Sequence, residues 1–214
     1  MRKANNLILQ KFKNRFNLRN FSKIKNIIAT FFVLIVTMTA ISAQKFSPKP
    51  TFLSGQKELN VSFDFEDITF DGKSQEAYID DKLNEKTEEE IETWLKEWNN
   101  EFPERFKTAL IECVNKEFKG KTIISENSNA EYTIYIKCID IDPGKFAGPF
   151  SKPAKIVSQI NIVNSEGEVV STTKKEKTYC DNDFAKMATE MRRIEIAFDD
   201  LGENIGEALY KFIK

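Results

Sequence analysis

Two groups of carboxylates stand close enough along the chain to suggest acid–base work: Asp64, Glu66 and Asp67, and Asp140 with Asp142. A glycoside hydrolase needs little more than two such groups on either side of the bond it breaks. Both groups alternate with apolar residues, however, and that alternation is the pattern of the solvent side of an ordinary strand. "DND" at Asp181 to Asp183 is the best nucleus for a calcium site, but it lacks the downstream Glu of an EF-hand loop, and such a triplet more simply caps a helix or makes a turn. Trp94, Trp98 and Phe102 recur at i, i+4 and i+8. They could form a sugar platform or an aromatic cage, yet one apolar stripe of a helix packed on a sheet explains them better.

The chain contains no histidine. That removes Ser-His-Asp and Cys-His nucleophilic systems, imidazole acid catalysis and histidine zinc sites together. CxxC, GxSxG, GxGxxG and GxxxxGK[ST] are absent as well, so the common phosphate, nicotinamide and flavin sites have no support. No cofactor and no metal is expected, and the expectation is a protein without catalytic residues.

A different feature stands out in "DPGKFAGPFSKPAKI", Asp142 to Ile156. Five of the fourteen Gly and Pro residues fall between Pro143 and Pro153. The flanking segments read as neighbouring strands, and a hairpin needs only about two to five connecting residues, so an eleven-residue connection suits a binding element. Lys145, Phe146, Phe150 and Lys152 would place aromatic rings and positive charge together, and they are the candidate partner-binding residues. The competing reading folds Phe146 and Phe150 back onto the edge of the core.

Export is written at the other end of the chain. The first 43 residues hold eight Lys or Arg and no Asp or Glu, followed by an apolar run from Ile27 to Ile41 and the sequence "AISAQ". This is the layout of a secretory signal, cut after Ala43 to leave Gln44 first. An uncleaved anchor is the alternative, but a run of about 15 residues broken by Thr30, Thr37 and Thr39 is short for a membrane span. No Cys stands near the cut to be acylated, so neither a lipid anchor nor membrane insertion is expected after cleavage. Of the 32 basic residues, 24 remain against 33 acidic ones, a net charge near −9. Nucleic acid and anionic lipid reward the opposite sign.

The elements that must position these residues follow from periodicity. Val61, Phe63 and Phe65 alternate with polar residues as a half-buried strand. The acidic stretch Asp80 to Glu90 reads as a solvated loop and helix start, with Thr87 and Glu90 as a capping box. Ile91, Trp94, Leu95, Trp98 and Phe102 are helical, a break or kink falls near Pro103, and Phe106, Leu110, Cys113, Val114 and Phe118 carry the stripe on to a stop at Gly120. "KTIIS", "AEYTIYIKCIDI", "AKIVSQINIV" and "GEVVSTTKKEKT" are strand-like, with a tight turn over Asn164 to Gly167. A last helix from about Arg193 to Ile213 bears Gly202 and Gly206, which would let its backbone approach a sheet closely. The domain reading is a signal over 1–43, an extended leader over 44–57 and one domain over 58–214. Its class is α+β, a mainly antiparallel sheet of about five strands covered on one face by two long helices. Cys113, Cys138 and Cys180 are an odd set, with Cys113 and Cys138 placed as core residues and a bridge between those two left open.

This order, with "AEYTIYIKCIDI", "IVNSEGEVVSTT" and "FDDLGENIGEALYKFIK", resembles the envelope domains of the curli export channel lipoprotein, the penicillin-binding-protein activator lipoproteins and the TolB amino-terminal domain. It also resembles exported proteins of the Bacteroidetes type, through "SAQ", "IDPG…G…KPA" and the terminal helix. The resemblance implies an anticodon-binding-like α/β fold and a non-enzymatic role in the periplasm or outside the cell, contacting another envelope component, most simply a protein. A carboxylate-dependent hydrolase of envelope glycans and a small-ligand or lipid carrier are the two alternatives.

Overall fold

The computed structural model describes residues 44–126, 129–145, 152–180 and 189–214. The signal reading over 1–43, the Asp181–Asp183 triplet, and Phe146 and Phe150 of the candidate loop all fall outside the described residues. Strands β1 (Glu58–Asp64), β2 (Thr69–Phe70), β3 (Lys73–Ser74), β4 (Ile123–Ser125), β5 (Tyr132–Asp142), β6 (Lys155–Asn164), β7 (Val169–Thr172) and β8 (Glu176–Tyr179) make one sheet. Helices α1 (Gln75–Glu85), α2 (Glu88–Glu101) and α3 (Glu104–Phe118) stand between β3 and β4, and α4 (Glu190–Ile213) closes the chain.

The class is α+β. Eight strands occupy five ranks, because short strands share a rank: β1 and β2 both pair with one edge of β5, and β7 and β8 both pair with the far edge of β6. The sheet is mixed, with antiparallel pairing predominant through β2–β3, β5–β6, β6–β7 and β6–β8. β1 runs parallel to β4 and β5, and β2 runs parallel to β5. The reason is connectivity: the helices α1 to α3 carry the chain back between β1 and the strands it joins, and such a crossover returns it in the same direction.

The break or kink expected near Pro103 is a full break between two helices. Phe102 is extended, with ψ 131°, as the residue before a proline is pushed to be, and α3 starts afresh at Glu104. The acidic stretch Asp80 to Glu90, read as a loop and helix start, takes in the second half of α1, whose N-cap Ser74 accepts a hydrogen bond from the Ala77 N–H at 3.3 Å. Tyr78 is its one buried residue, so it carries almost no apolar period to read. The capping box stands, with the Thr87 N–H donating to Glu90 at 2.9 Å. Gly167 turns the β6–β7 hairpin at φ +83°.

One face of the sheet presents Leu59, Val61, Ile134, Ile136, Cys138, Ile156, Ile160 and Ile162 to α3 and α4, which bury Phe106, Leu110, Val114, Ile194, Phe198, Leu201, Ile205 and Leu209 against it. Asn60, Asp64, Tyr135, Lys137, Gln159 and Asn161 line the other face and are half-buried. Gly202 and Gly206 serve close approach, but to a helix, not to the sheet. A Cβ on Gly202 would meet the Leu110 carbonyl oxygen at 2.7 Å, and one on Gly206 the Glu117 Cβ at 2.5 Å.

The leader belongs to the fold. Phe46 and Leu53 are buried, and Ser47 exchanges two backbone hydrogen bonds with Thr172 on β7, at 2.8 and 3.1 Å. Among the described residues no helix is long and apolar enough to cross a membrane.

Candidate functional site

The candidate loop begins as an arm of the β5–β6 hairpin. After a bulge between Cys138 and Asp140, β5 and β6 pair through Asp142 and Lys155. The same register continues to Lys145 and Lys152, which exchange backbone hydrogen bonds of 2.8 Å in both directions. The eleven-residue connection therefore contains a stretch of ladder, and only 146–151 lie beyond it.

Several groups fix the base of this arm. Gly144 has φ +66°, and a Cβ there would stand 2.3 Å from the Lys152 carbonyl oxygen, so the position admits no side chain. The Gly144 N–H donates to Asp142 Oδ1 at 3.0 Å. Asp142 Oδ2 takes Lys152 Nζ at 2.5 Å and Lys155 Nζ at 3.6 Å. Burial alone would raise the Asp142 carboxyl; the Lys152 ammonium and the Gly144 N–H overturn that and hold it below the usual carboxylate value. From α4, the buried Arg193 donates Nε to the Pro143 carbonyl at 2.8 Å and Nη2 to the Gly144 carbonyl at 3.2 Å. Ala154 and Cys180 close the other side, the Ala154 N–H donating to Cys180 Sγ at 3.1 Å and the Cys180 N–H to the Ala154 carbonyl at 3.0 Å. Lys145 and Lys152 are both exposed at the end of the ladder, and Lys152 already has its counter-ion in Asp142.

Of the carboxylates picked out in the sequence, Asp64, Asp140 and Asp142 are committed to the frame. Asp140 Oδ1 accepts from Thr69 Oγ1 at 2.7 Å and from the Gly72 N–H at 3.0 Å, which stitches the β2–β3 turn to β5. Asp64 Oδ2 accepts from the Tyr135 hydroxyl at 2.5 Å and lies 3.4 Å from Lys137 Nζ. The Tyr135 hydrogen bond lowers the Asp64 carboxyl, and the same bond pushes Tyr135 up to about 12. Glu66 and Asp67 are exposed beyond the end of β1.

A second polar centre escapes sequence reasoning. Glu190, in the first turn of α4, accepts from the Tyr78 hydroxyl at 2.6 Å and from Trp94 Nε1 at 3.2 Å, and pairs with Lys82 at 2.7 Å. Burial alone would raise this carboxyl; the bonds from Lys82 and Tyr78 bring it below its usual value. Desolvation and the facing carboxylate push the Tyr78 phenol far up. The partners lie on α1 and α2, and no local pattern joins them to residue 190.

Trp94 and Trp98 are core, and the half-buried Phe102 packs against it. Their rings stack in series, Trp94 on Trp98 at 5.1 Å and Trp98 on Phe102 at 5.0 Å, and Phe70, Tyr78, Phe106 and Phe198 complete the cluster. Cys113, Cys138 and Cys180 stand outside any disulfide, the one left open between Cys113 and Cys138 included, and burial lifts Cys113 to about 11.

Between α3 and α4 lies a cleft of about 380 Å³ lined by Arg105, Thr108, Ala109, Glu112, Arg192, Glu195 and Asp199. Arg105 binds Glu195 through Nε at 2.9 Å and also Glu101, and Arg192 reaches Glu195 at 2.9 Å. Burial would raise the Glu195 carboxyl, but the two arginines lower it, whereas burial and the Glu195 charge raise Asp199. Among the described residues no cluster of three or more His, Cys, Asp or Glu could hold a metal ion.

No protein-family model matches the chain, and no curated protein matches it. Two solved structures of the PelC dodecamer from Paraburkholderia phytofirmans, one of them a point variant, are each 10% identical to it. They cover 79% of this chain and 97% and 98% of their own, with TM-scores of 0.39 and 0.40. A likeness at that level carries nothing about function.

Proposed function

We propose that this is an exported, non-catalytic binding domain of the cell envelope, and that the β5–β6 arm is its contact element for another envelope protein. The observation that carries the reading is the arm itself. A ladder that keeps its register past the sheet, with its base tied down by Asp142, Gly144, Arg193 and Cys180, is a rigid mount, and rigid mounts lower the ordering cost that binding must meet. Lys145 and Lys152 stand at its end, and the sequence places Phe146 and Phe150 between them. Aromatic side chains such as these are enriched at the cores of protein interfaces. The basic run over residues 1–43 supports export, and the acidic mature chain argues against nucleic acid and anionic lipid.

The test is photo-crosslinking in cells from a probe at position 150, with the captured species identified by mass spectrometry. One discrete envelope protein is the expected product. An exported, folded chain that captures nothing there would reduce the arm to a connector. Replacing Phe146 and Phe150 together by Ser should abolish the capture with little change in melting temperature; a large loss of stability would assign both rings to the core edge.

A hydrolase reading retains one seat, the α3–α4 cleft. Asp199 and Glu195 are driven in opposite directions there, which is how an acid and a base are told apart in carboxylate enzymes. Turnover of envelope glycans by the wild type, abolished by Asp199→Asn, would favour that reading over the adaptor.

A further inference from the structure

Several edges of the sheet are closed, each by a different device. On β4 the Ile124 N–H donates to Asn115 Oδ1 at 2.8 Å, and Asn115 Nδ2 donates back to the Ile124 carbonyl at 3.0 Å. That carboxamide occupies the two backbone groups a further strand would use. On β7 the place is taken by Ser47, which pairs with Thr172 in both directions. β3 is two residues long and leads straight into α1. Closures of this kind are how sheets avoid unplanned pairing.

Among the described residues β8 has no such cover, and it pairs with β6 alone. The Cys180 N–H donates inward to the Ala154 carbonyl, and along an antiparallel ladder the residues that bond to the neighbour alternate with those that do not. Thr178 and Glu176 therefore turn their N–H and C=O groups to β6, and Lys177 and Tyr179 turn theirs outward. No backbone hydrogen bond from the described residues reaches those outward groups. Tyr179 is 54% exposed. Lys174, Lys175 and Lys177 are exposed too, without an ion pair among the described residues, in a chain whose net charge is negative.

We propose that the outer edge of β8 is a docking site for an extended acidic segment of another protein, which adds to the sheet as one more strand. The outward N–H and C=O groups of Lys177 and Tyr179 supply the main-chain hydrogen bonds of such an addition. Lys175 and Lys177 share a parity, so carboxylates at alternate positions of the incoming strand stand opposite them, and opposite charges across a strand pair are favourable. The same lysines repel a neutral or basic strand's competitor, a second copy of this edge, by setting like charges against each other. This surface is separate from the end of the β5–β6 arm and depends neither on it nor on export.

Amide hydrogen exchange of the folded chain, read residue by residue by NMR, tests the proposal with two synthetic probes: a capped peptide of alternating Glu and Thr, and its analogue of alternating Lys and Thr. In the free protein the Lys177 and Tyr179 amides should exchange at least about tenfold faster than that of Thr178. The Glu peptide should slow both by about tenfold once its concentration is near ten times its Kd, and the Lys peptide should not. A Glu peptide methylated at alternate backbone nitrogens keeps the charge, loses the main-chain bonds and should give no protection. Amides already slow in dilute free protein would show that the chain closes this edge itself, and protection that rises with protein concentration alone would assign the edge to a second copy; either overturns the proposal. So does a Glu peptide that protects neither amide, or equal protection by the Lys or the methylated peptide. The triple variant Lys174→Glu, Lys175→Glu, Lys177→Glu should keep its melting temperature and lose protection by the Glu peptide, and unchanged protection in it would remove the role of charge. None of these outcomes bears on capture at position 150, so failure here and failure of the arm are told apart.

Discussion

Glu190 and Asp142 are both carboxylates withdrawn from solvent and held ionised, yet they act over different ranges. The partners of Glu190 come from two other helices, with Tyr78 112 residues away and Trp94 96 residues away in sequence. The partners of Asp142 are Gly144, Lys152 and Lys155, all within one hairpin. The first cluster joins separately formed elements, so its loss is felt by the whole domain. The second shapes a local arm, which can open while the rest of the domain stays folded.

Replacing Glu190 by Ala should give the largest effect, about 3 kcal/mol of lost stability, because Lys82, the Tyr78 hydroxyl and Trp94 Nε1 are left facing one another without an acceptor. Chemical denaturation followed by tryptophan fluorescence measures it, and a loss under about 1 kcal/mol would remove the distinction between the clusters. Asp142→Ala should cost less globally, about 1–2 kcal/mol, but hydrogen exchange at the Lys145 and Lys152 amides should accelerate while exchange in α4 does not. Uniform acceleration would show that the arm is not an independent unit.

Acid sharpens the comparison. Both carboxyls are depressed in the folded state, so each stabilises the fold above its unfolded pKa, about 4 for Asp and Glu, and that contribution disappears as pH falls below this value through the folded one. Melting temperature should therefore drop on acidification below about pH 4.5, and Glu190→Gln should flatten that drop more than Asp142→Asn does. The smallest effect belongs to Lys152→Ala. Its side chain is 59% exposed, so the loss should stay under about 1 kcal/mol, detectable only in the exchange of the arm.

The same contrast explains what the sequence could and could not disclose. Periodicity is local: Val61, the Ile134–Ile136 parity, the α4 row from Ile194 to Leu209 and the Asn164–Gly167 turn were all legible, because each signal lies within a few residues of what it specifies. The arm was legible as an unusual connection, but not as a ladder, since the pairing of Lys145 with Lys152 is set by the register behind it and by the bulge after Cys138. Parallel pairing of β1 was available in the strand–helix–strand order and was outweighed by the hairpin pattern downstream. The Glu190 centre was not legible at all, because an isolated Glu in a helix start looks the same with or without a Tyr and a Trp brought to it from elsewhere. Gly202 and Gly206 announced a close approach, but the neighbour read for them was the sheet, whereas it is α3.

The pairing of the leader with β7 sets an order of events during folding. Pro48 and Ser171, which hydrogen-bond to each other, are 123 residues apart in sequence. A chain that emerges amino end first exposes Phe46 early and completes β7 late, so the leader waits unpaired while most of the domain is still to come. Closing so long a loop is slow, and until then an apolar ring and a free strand edge are open to other chains. The pairing of Ser47 with β7 thus waits for the end of the sheet, and chaperone contact during folding should concentrate there.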